Sequence, residues 1–300
     1  MPKNKISPQK KATIISSSVA AILILIKLAL GIISGSVAVL ASAVDSVLDM
    51  FVSIFNYFAI LNSEKPADKK FNYGRGKIEA LALFIEGIVI TISGLYLFYE
   101  AIKKAIYKET SSYLDISIYV MIISLIITIS LVIYLNSVAK KTNSMVIKAD
   151  ALHYKTDVLS NLAVLCSLIL VHFTNLEIFD VIIGILISFY IIYSAFSLIK
   201  KGILVLLDAS VDDDLVLKIE DILENNPNLS NFHLLKTREA ANKTFVEAHI
   251  VFKSQQITLM EAHKICENIE ESIKVIDKNR NWIVNIHLDP YDDYLKDERI

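Results

Sequence analysis

The stretch ASAVDSVLDMF, residues 41–51, decides how this chain is read. Two carboxylates, Asp45 and Asp49, interrupt an otherwise apolar run. A charge at the centre of a membrane-spanning helix costs at least about 2.5–3.5 kcal/mol on insertion scales. Two of them one helical turn apart require something to compensate them.

The surroundings of this stretch make the membrane reading necessary. The 300 residues are 54% hydrophobic with mean hydropathy +0.52, yet 21% are charged. The charge is segregated. Apolar stretches of roughly 20 residues or more, enough to span a bilayer, fill residues 12–200. Six candidate spans result, about 12–33, 37–61, 78–99, 113–136, 146–172 and 178–199. Lys and Arg cluster at the N-terminus and after spans two, four and six. By the positive-inside tendency this places both termini in the cytoplasm. Residues 208–300 hold 19 acidic and 11 basic residues, net −8, while residues 1–207 hold 13 acidic and 19 basic, net +6. Two domains are expected, a transmembrane domain over 1–207 and a cytoplasmic domain over 208–300. Cys166 and Cys266 have no motif spacing, so no disulfide framework is expected.

The tail patterns as a small α+β domain. Residues 212–226 read as an amphipathic helix with an acidic start. Residues 231–240 and 243–252 alternate as a hairpin. Residues 258–276 read as a helix whose Thr258 and Glu261 make a capping box. Residues 281–290 alternate again and stop at Pro290. The order α-β-β-α-β predicts helices packed on a three-stranded, metallochaperone-like sheet.

The second half of the charge question lies in ADALHYKTDVLSN, residues 149–161. His153 and Asp157 are four apart, as are Asp45 and Asp49, so each pair makes a stripe on one helix face. If the two helices face each other, three carboxylates and one imidazole converge. That set suits a tetrahedral divalent ion such as Zn²⁺, with Fe²⁺, Mn²⁺, Co²⁺ or Cd²⁺ as other occupants. Asp150 sits near a predicted span end and reads as helix–helix contact. Glu79 reads as structural, and Glu86 as a packing or proton-relay residue. Four of the six histidines lie in the tail: His233, His249, His263 and His287. His287 and Asp289, two apart in a strand, share a face. These five residues are candidates for a second metal cluster. Nothing points to nucleic acid as a partner, and no GxxxxGK[ST] loop is present to power transport by ATP.

The segments GSVAVLASAVDSVLDMF (35–51), YGRGKIEALA (73–82), ADALHYKTDVLSNLAVL (149–165) and SLIKKGILVLLDASVDD (197–213) together resemble the cation diffusion facilitators, proton-coupled exporters of divalent transition metals, and most nearly their bacterial zinc and ferrous-iron branch. The resemblance implies that Asp45, Asp49, His153 and Asp157 form the transport site. It also implies a homodimer in a bacterial inner membrane, a charge interlock between Lys77 and Asp208, and Zn²⁺ or Fe²⁺ both as cargo and as structural or regulatory ions in the tail. A further site expected in the loop after span two keeps only Asp68. Phe71 and Arg75 stand where that family has histidines, so this loop site is expected to be weak or absent. Two rival functions remain, an intramembrane metal-dependent phosphotransferase and a metal sensor that does not transport.

Overall fold

The computed structural model describes residues 6–34, 37–107, 115–174, 178–278 and 280–292. The chain divides into two compact units, Met1–Ile203 and Leu204–Ile300.

The first unit is built from six long helices, α1 (Pro8–Ser34), α2 (Val37–Ser63), α3 (Lys77–Tyr107), α4 (Asp115–Thr142), α5 (Met145–Thr174) and α6 (Ile178–Leu206). Among the described residues, four segments are long and apolar enough to cross a membrane: Pro8–Leu30, Lys77–Tyr107, Ile122–Thr142 and Val181–Leu206. Ionisable residues also lie within these helices: Lys27 on α1, Asp45 and Asp49 on α2, Glu79 and Glu86 on α3, and Lys148, Asp150, Lys155 and Asp157 on α5.

Several helices outrun the apolar spans read from the sequence. At 31 residues α3 is about 46 Å long at 1.5 Å per residue. Hydropathy marks where lipid is tolerated, whereas backbone hydrogen bonding continues until a breaker stops it. Lys103 and Lys104, beyond the third span read from the sequence, therefore ride on the end of α3. Between α4 and α5 only residues 143 and 144 are non-helical. Asn143 takes a left-handed φ of 52° there, and its N–H bonds the carbonyl of Ala139 at 2.9 Å. Asn is a residue that tolerates this conformation at a helix end.

The interior is a packed apolar cluster that includes Ala59, Ile60, Ala82, Leu131, Leu135, Val146, Ile147 and Tyr154. Glycine lets α3 and α6 close together. A Cβ added at Gly87 would fall 2.7 Å from Ile199 Cγ1, and one at Gly94 2.8 Å from Ile192 Cγ1.

The second unit opens at the end of α6. Asp208 has φ 56°, its N–H bonds Val205 O, and the N–H of Ala209 bonds Leu204 O. These two bonds make the Schellman arrangement, in which glycine usually holds the position of Asp208. The tail then runs α7 (Asp213–Glu224), β1 (Leu229–Ala240), β2 (Lys243–Phe252), α8 (Leu259–Ile276) and β3 (Asn281–Asp289). The sheet order is β1-β2-β3, with β1 antiparallel and β3 parallel to β2. Leu215, Ile219 and Leu223 of α7, and Ala262, Cys266, Ile269 and Ile273 of α8, recur at helical spacing. They meet Val246, Ala248, Ile250, Trp282 and Val284 in one core. The capping box is present: Thr258 Oγ1 accepts from the Glu261 N–H at 3.3 Å, and Glu261 Oε2 accepts from the Thr258 N–H at 3.0 Å. The Thr258 N–H, with the Thr258 hydroxyl donating to the same oxygen at 2.7 Å, holds the Glu261 carboxyl below its ordinary pKa.

Strand β1 departs from simple alternation. The register slips between His233 and Lys236, and Leu234 has φ 50°. Leu234 is the extra residue of a β-bulge, which is why two consecutive leucines can sit in a strand otherwise alternating between core and open face.

Candidate metal centres

In the first unit α2 and α5 bring two distant stretches together. His153 Nε2 lies 3.1 Å from Asp49 Oδ1. One ligand atom from each of Asp49, His153 and Asp157 lies within 4.8 Å of the others. His153 is buried, 5% exposed, and Asp49 and Asp157 are half-buried. The facing arrangement expected from the two i,i+4 pairs is thus the arrangement these three residues adopt. Asp45 belongs to α2, but its side chain lies outside the described residues. The site is braced by neighbours. Thr156 Oγ1 donates to the His153 carbonyl at 2.6 Å, and the Tyr154 and Ser53 hydroxyls meet at 3.0 Å. One imidazole nitrogen and two carboxylates at a helix interface are ligands for a borderline divalent cation.

Sequence reasoning underrated the layer beside this site. Asp150, read as a helix-end contact, is fully buried, and so is Asn56, which was not singled out at all. Both were findable by helical period. Asn56 lies seven residues, two turns, from Asp49, and Asp150 lies three residues from His153. Lys27 was also overlooked, and its Nζ donates to Ser46 Oγ at 2.8 Å. Glu79 is structural, as expected. Its carboxylate accepts from Ser63 Oγ at 3.0 Å, Ser144 Oγ at 3.0 Å and the Met145 N–H at 3.3 Å, pinning the start of α5. A carboxylate there also suits the positive end of the α5 dipole.

The loop between α2 and α3 is closed by its own cation. Asp68 Oδ1 accepts from the N–H groups of Lys70 and Phe71, both at 2.9 Å, while Arg75 Nη2 donates to Asp68 Oδ2. The guanidinium also stands 4.4 Å over the Phe71 ring. The two backbone bonds, helped by Arg75, lower the Asp68 pKa.

The second cluster lies on the open face of the tail sheet. His233 pairs with His249 across β1–β2, and His249 pairs with His287 across β2–β3, so the three imidazoles form one row. Adjacent rings in that row are 5.1 Å and 4.4 Å apart, centroid to centroid. Asp289 reaches all three. Its Oδ2 is 3.3 Å from His233 Nε2 and 3.1 Å from His249 Nδ1, and its Oδ1 is 3.3 Å from His287 Nε2. His233, His249 and Asp289 each offer a ligand atom within 4.8 Å of the others. Burial falls along the row, from a nearly buried His233 to a His287 side chain 65% exposed. His263 is not brought to this cluster within the chain. It stands on the solvent side of α8, its Nε2 3.5 Å from Glu267 Oε1.

Lys77 is the first residue of α3, and the Asp208 carboxylate lies 3.4 Å from Arg238 Nη1.

These features, a helical membrane unit with a His–Asp centre and a tail sheet with a second, define a metal-handling membrane protein. Comparison with known proteins agrees. Residues 13–207 match the cation efflux transmembrane domain, and residues 211–291 match the cytoplasmic domain of cation efflux proteins. The cation-efflux pump FieF of Serratia proteamaculans is 32% identical over 94% of this chain and 92% of its own length. Protein p34 of Rickettsia prowazekii is 32% identical over the same shares. Among solved structures, the metal-bound C-terminal domain of the CzcD transporter from Thermotoga maritima is 26% identical, covering 26% of this chain and 87% of that one, with a TM-score of 0.24. The zinc form of CzrB is 23% identical, covering 28% and 93%, also with a TM-score of 0.24. The chain belongs to the cation diffusion facilitator family. It is an integral membrane protein and a transporter for the efflux of divalent metal cations, not an enzyme.

Proposed function

We propose that this protein is a secondary exporter that moves a divalent transition-metal cation out of the cytoplasm in exchange for protons. The observation that carries this reading is the convergence of Asp49, His153 and Asp157 on one point between α2 and α5. Asp45, one turn before Asp49, supplies the fourth ligand. Metal ligands must be deprotonated, so binding an ion and releasing protons are linked by necessity. His153 is the natural exchanging base, because an imidazole ordinarily titrates near neutrality. On the cytoplasmic side the site gives up protons and takes the ion. After the helices rearrange, external protons displace it.

The same reading extends to the rest of the molecule. All six helices α1–α6 span a bacterial inner membrane, with both termini in the cytoplasm. Zn²⁺ and Fe²⁺ are the leading cargo, with Cd²⁺, Mn²⁺ and Co²⁺ tolerated. Two copies pair through their tails, and Lys77 and Asp208 lock each membrane domain to its tail. The His233–His249–His287–Asp289 row holds a resident Zn²⁺ or Fe²⁺, with His263 contributing at the pair's interface. The row's donors, imidazoles and one carboxylate within reach of each other, fit such an ion. The Asp68 loop holds no metal, because Arg75 already supplies its positive charge.

The test is metal flux into proteoliposomes under an imposed pH gradient. Export coupled to protons predicts metal movement opposite to the proton gradient, collapsing when a protonophore dissipates it. Metal binding without flux would favour a sensor.

A further inference from the structure

Resting on the transport reading, a second buried polar cluster calls for an explanation. Asn56 of α2, Glu86 of α3 and Asp150 of α5 are 0%, 1% and 0% exposed. Asn56 Nδ2 donates to Glu86 Oε2 at 3.2 Å and sits 3.5 Å from Asp150 Oδ1. Three oxygens of this trio, Asn56 Oδ1, Glu86 Oε1 and Asp150 Oδ2, are buried and have no hydrogen-bond partner among the described residues. Buried polar atoms are almost always partnered, and each exception needs a cause.

The contrast with Glu79 sharpens the point. Glu79 and Glu86 are two turns apart on α3 and both are buried. Glu79 accepts three hydrogen bonds from two hydroxyls and a backbone N–H, as a carboxylate in a structural role does. Glu86 receives one, from an amide that also serves Asp150. The Ser16 hydroxyl also reaches Asp150, but two carboxylates served by neutral donors alone lack charge compensation, whereas a cation between them would supply it. The amide of Asn56 need only turn over to offer its oxygen instead of its nitrogen, an exchange of nearly identical shape. The donor set is then all oxygen, which suits a hard or borderline divalent ion and holds it less tightly than a site with imidazole.

Position gives the cluster a use. Asn56 lies beyond Asp49 toward the end of α2, and Asp150 lies before His153 toward the start of α5. The trio therefore lies between the His153 centre and the end of the bundle that carries the loop 64–76. We propose that Asn56, Glu86 and Asp150 form a second intramembrane site for the divalent cation, a station it occupies between the His153 centre and that end of the bundle.

The test uses the full chain and Mn²⁺ as probe, with bound ion counted by the loss of the free-ion electron paramagnetic resonance signal. The His153 centre is disabled by Asp45→Asn, Asp49→Asn, His153→Ala and Asp157→Asn, and the tail row by His249→Ala and Asp289→Ala. One Mn²⁺ per chain is expected to remain and to be lost on adding Glu86→Gln and Asp150→Asn. A count unchanged by that last pair, or no residual ion in a protein that is still helical and monodisperse, overturns the proposal. Should the multiple variant not fold, Glu86→Gln/Asp150→Asn alone is expected to lower maximal flux at least about tenfold, the scale on which supporting residues act at metal sites. Affinity at the His153 centre should stay within about twofold in the same variant, and an undiminished flux overturns the proposal. The two readings fail separately: absence of flux from the unaltered protein contradicts export, while the Mn²⁺ count reads the second site regardless.

Discussion

His153 Nε2 and Asp49 Oδ1 are 3.1 Å apart although 104 residues separate them in the chain. The contact joins α2 to α5, two long helices that each carry ionisable residues in an otherwise apolar stretch. A lone carboxylate or imidazole in that interface is costly, whereas the two in contact can share a proton or a cation. Predictions follow from this contact and its surroundings.

Position 45 is predicted to bias selectivity by a small margin. Replacing Asp45 with His trades a hard oxygen for an imidazole and should move the metal ranking toward Zn²⁺ and away from Mn²⁺, Fe²⁺ and Cd²⁺. Competitive uptake of these four ions in proteoliposomes reads the change. An unaltered ranking would remove Asp45 from the selectivity determinants.

The tail row stabilises the chain when it is loaded. At free metal a hundredfold above its dissociation constant, one bound ion adds about 2.7 kcal/mol. Adding Zn²⁺ should therefore raise the melting temperature of the tail, and chelation should lower it. His249→Ala and Asp289→Ala should abolish the difference, since these two make the 3.1 Å contact at the middle of the row. His263→Ala should leave it unchanged in a single chain, because that side chain stands apart on α8.

The Asp68 loop is predicted to be metal-free and acid-resistant. The Asp68 pKa is lowered in the folded protein, so its contribution to stability is present above the ordinary carboxylate value near 3.8. That contribution is lost only as pH falls below this value toward the folded pKa. A carbon-detected titration of Asp68 should show its midpoint below 3.8, and Arg75→Ala should raise it only part of the way, since the two backbone bonds remain. Metal-induced shifts at Asp68 in the unaltered protein would contradict the loop's assignment.

Two features of the tail are open to direct chemistry. Burial, with Glu270 nearby, pushes the Cys266 thiol up to about 11. Alkylation of Cys266 at neutral pH should therefore wait on unfolding of the tail. Thr258→Ala removes the N-cap of α8 and should cost about 1 kcal/mol, read as a lower denaturation midpoint.

Much of this molecule was legible in the order of its residues. The tail elements α7 to β3 follow from amphipathic period, alternation and the Thr258–Glu261 box, all of which are local signals. The joining of Asp49 to His153 and Asp157 was also readable, because an i,i+4 pair of ligands inside lipid has few other uses. The bulge at Leu234 was harder. Two adjacent leucines in a strand break the alternation, but only the pairing with β2 decides which of them is extra. The cluster of Asn56, Glu86 and Asp150 was missed because its members come one from each of three helices. Helical period puts Asn56 on the face of Asp49 and Asp150 on that of His153, but only packing brings these two to Glu86. The separation of His263 from the row was latent in the stripe Ala262, Cys266, Ile269 and Ile273, which turns His263 toward solvent.

The central claim is that the His153 centre carries the ion across the membrane. Metal flux in proteoliposomes, driven by an imposed pH gradient and compared between the unaltered protein and the Asp49→Ala/His153→Ala variant, tests it most directly. The account predicts gradient-dependent flux in the first and none above the protein-free baseline in the second, with both proteins equally helical and equally reconstituted. Flux that persists in the variant would contradict it.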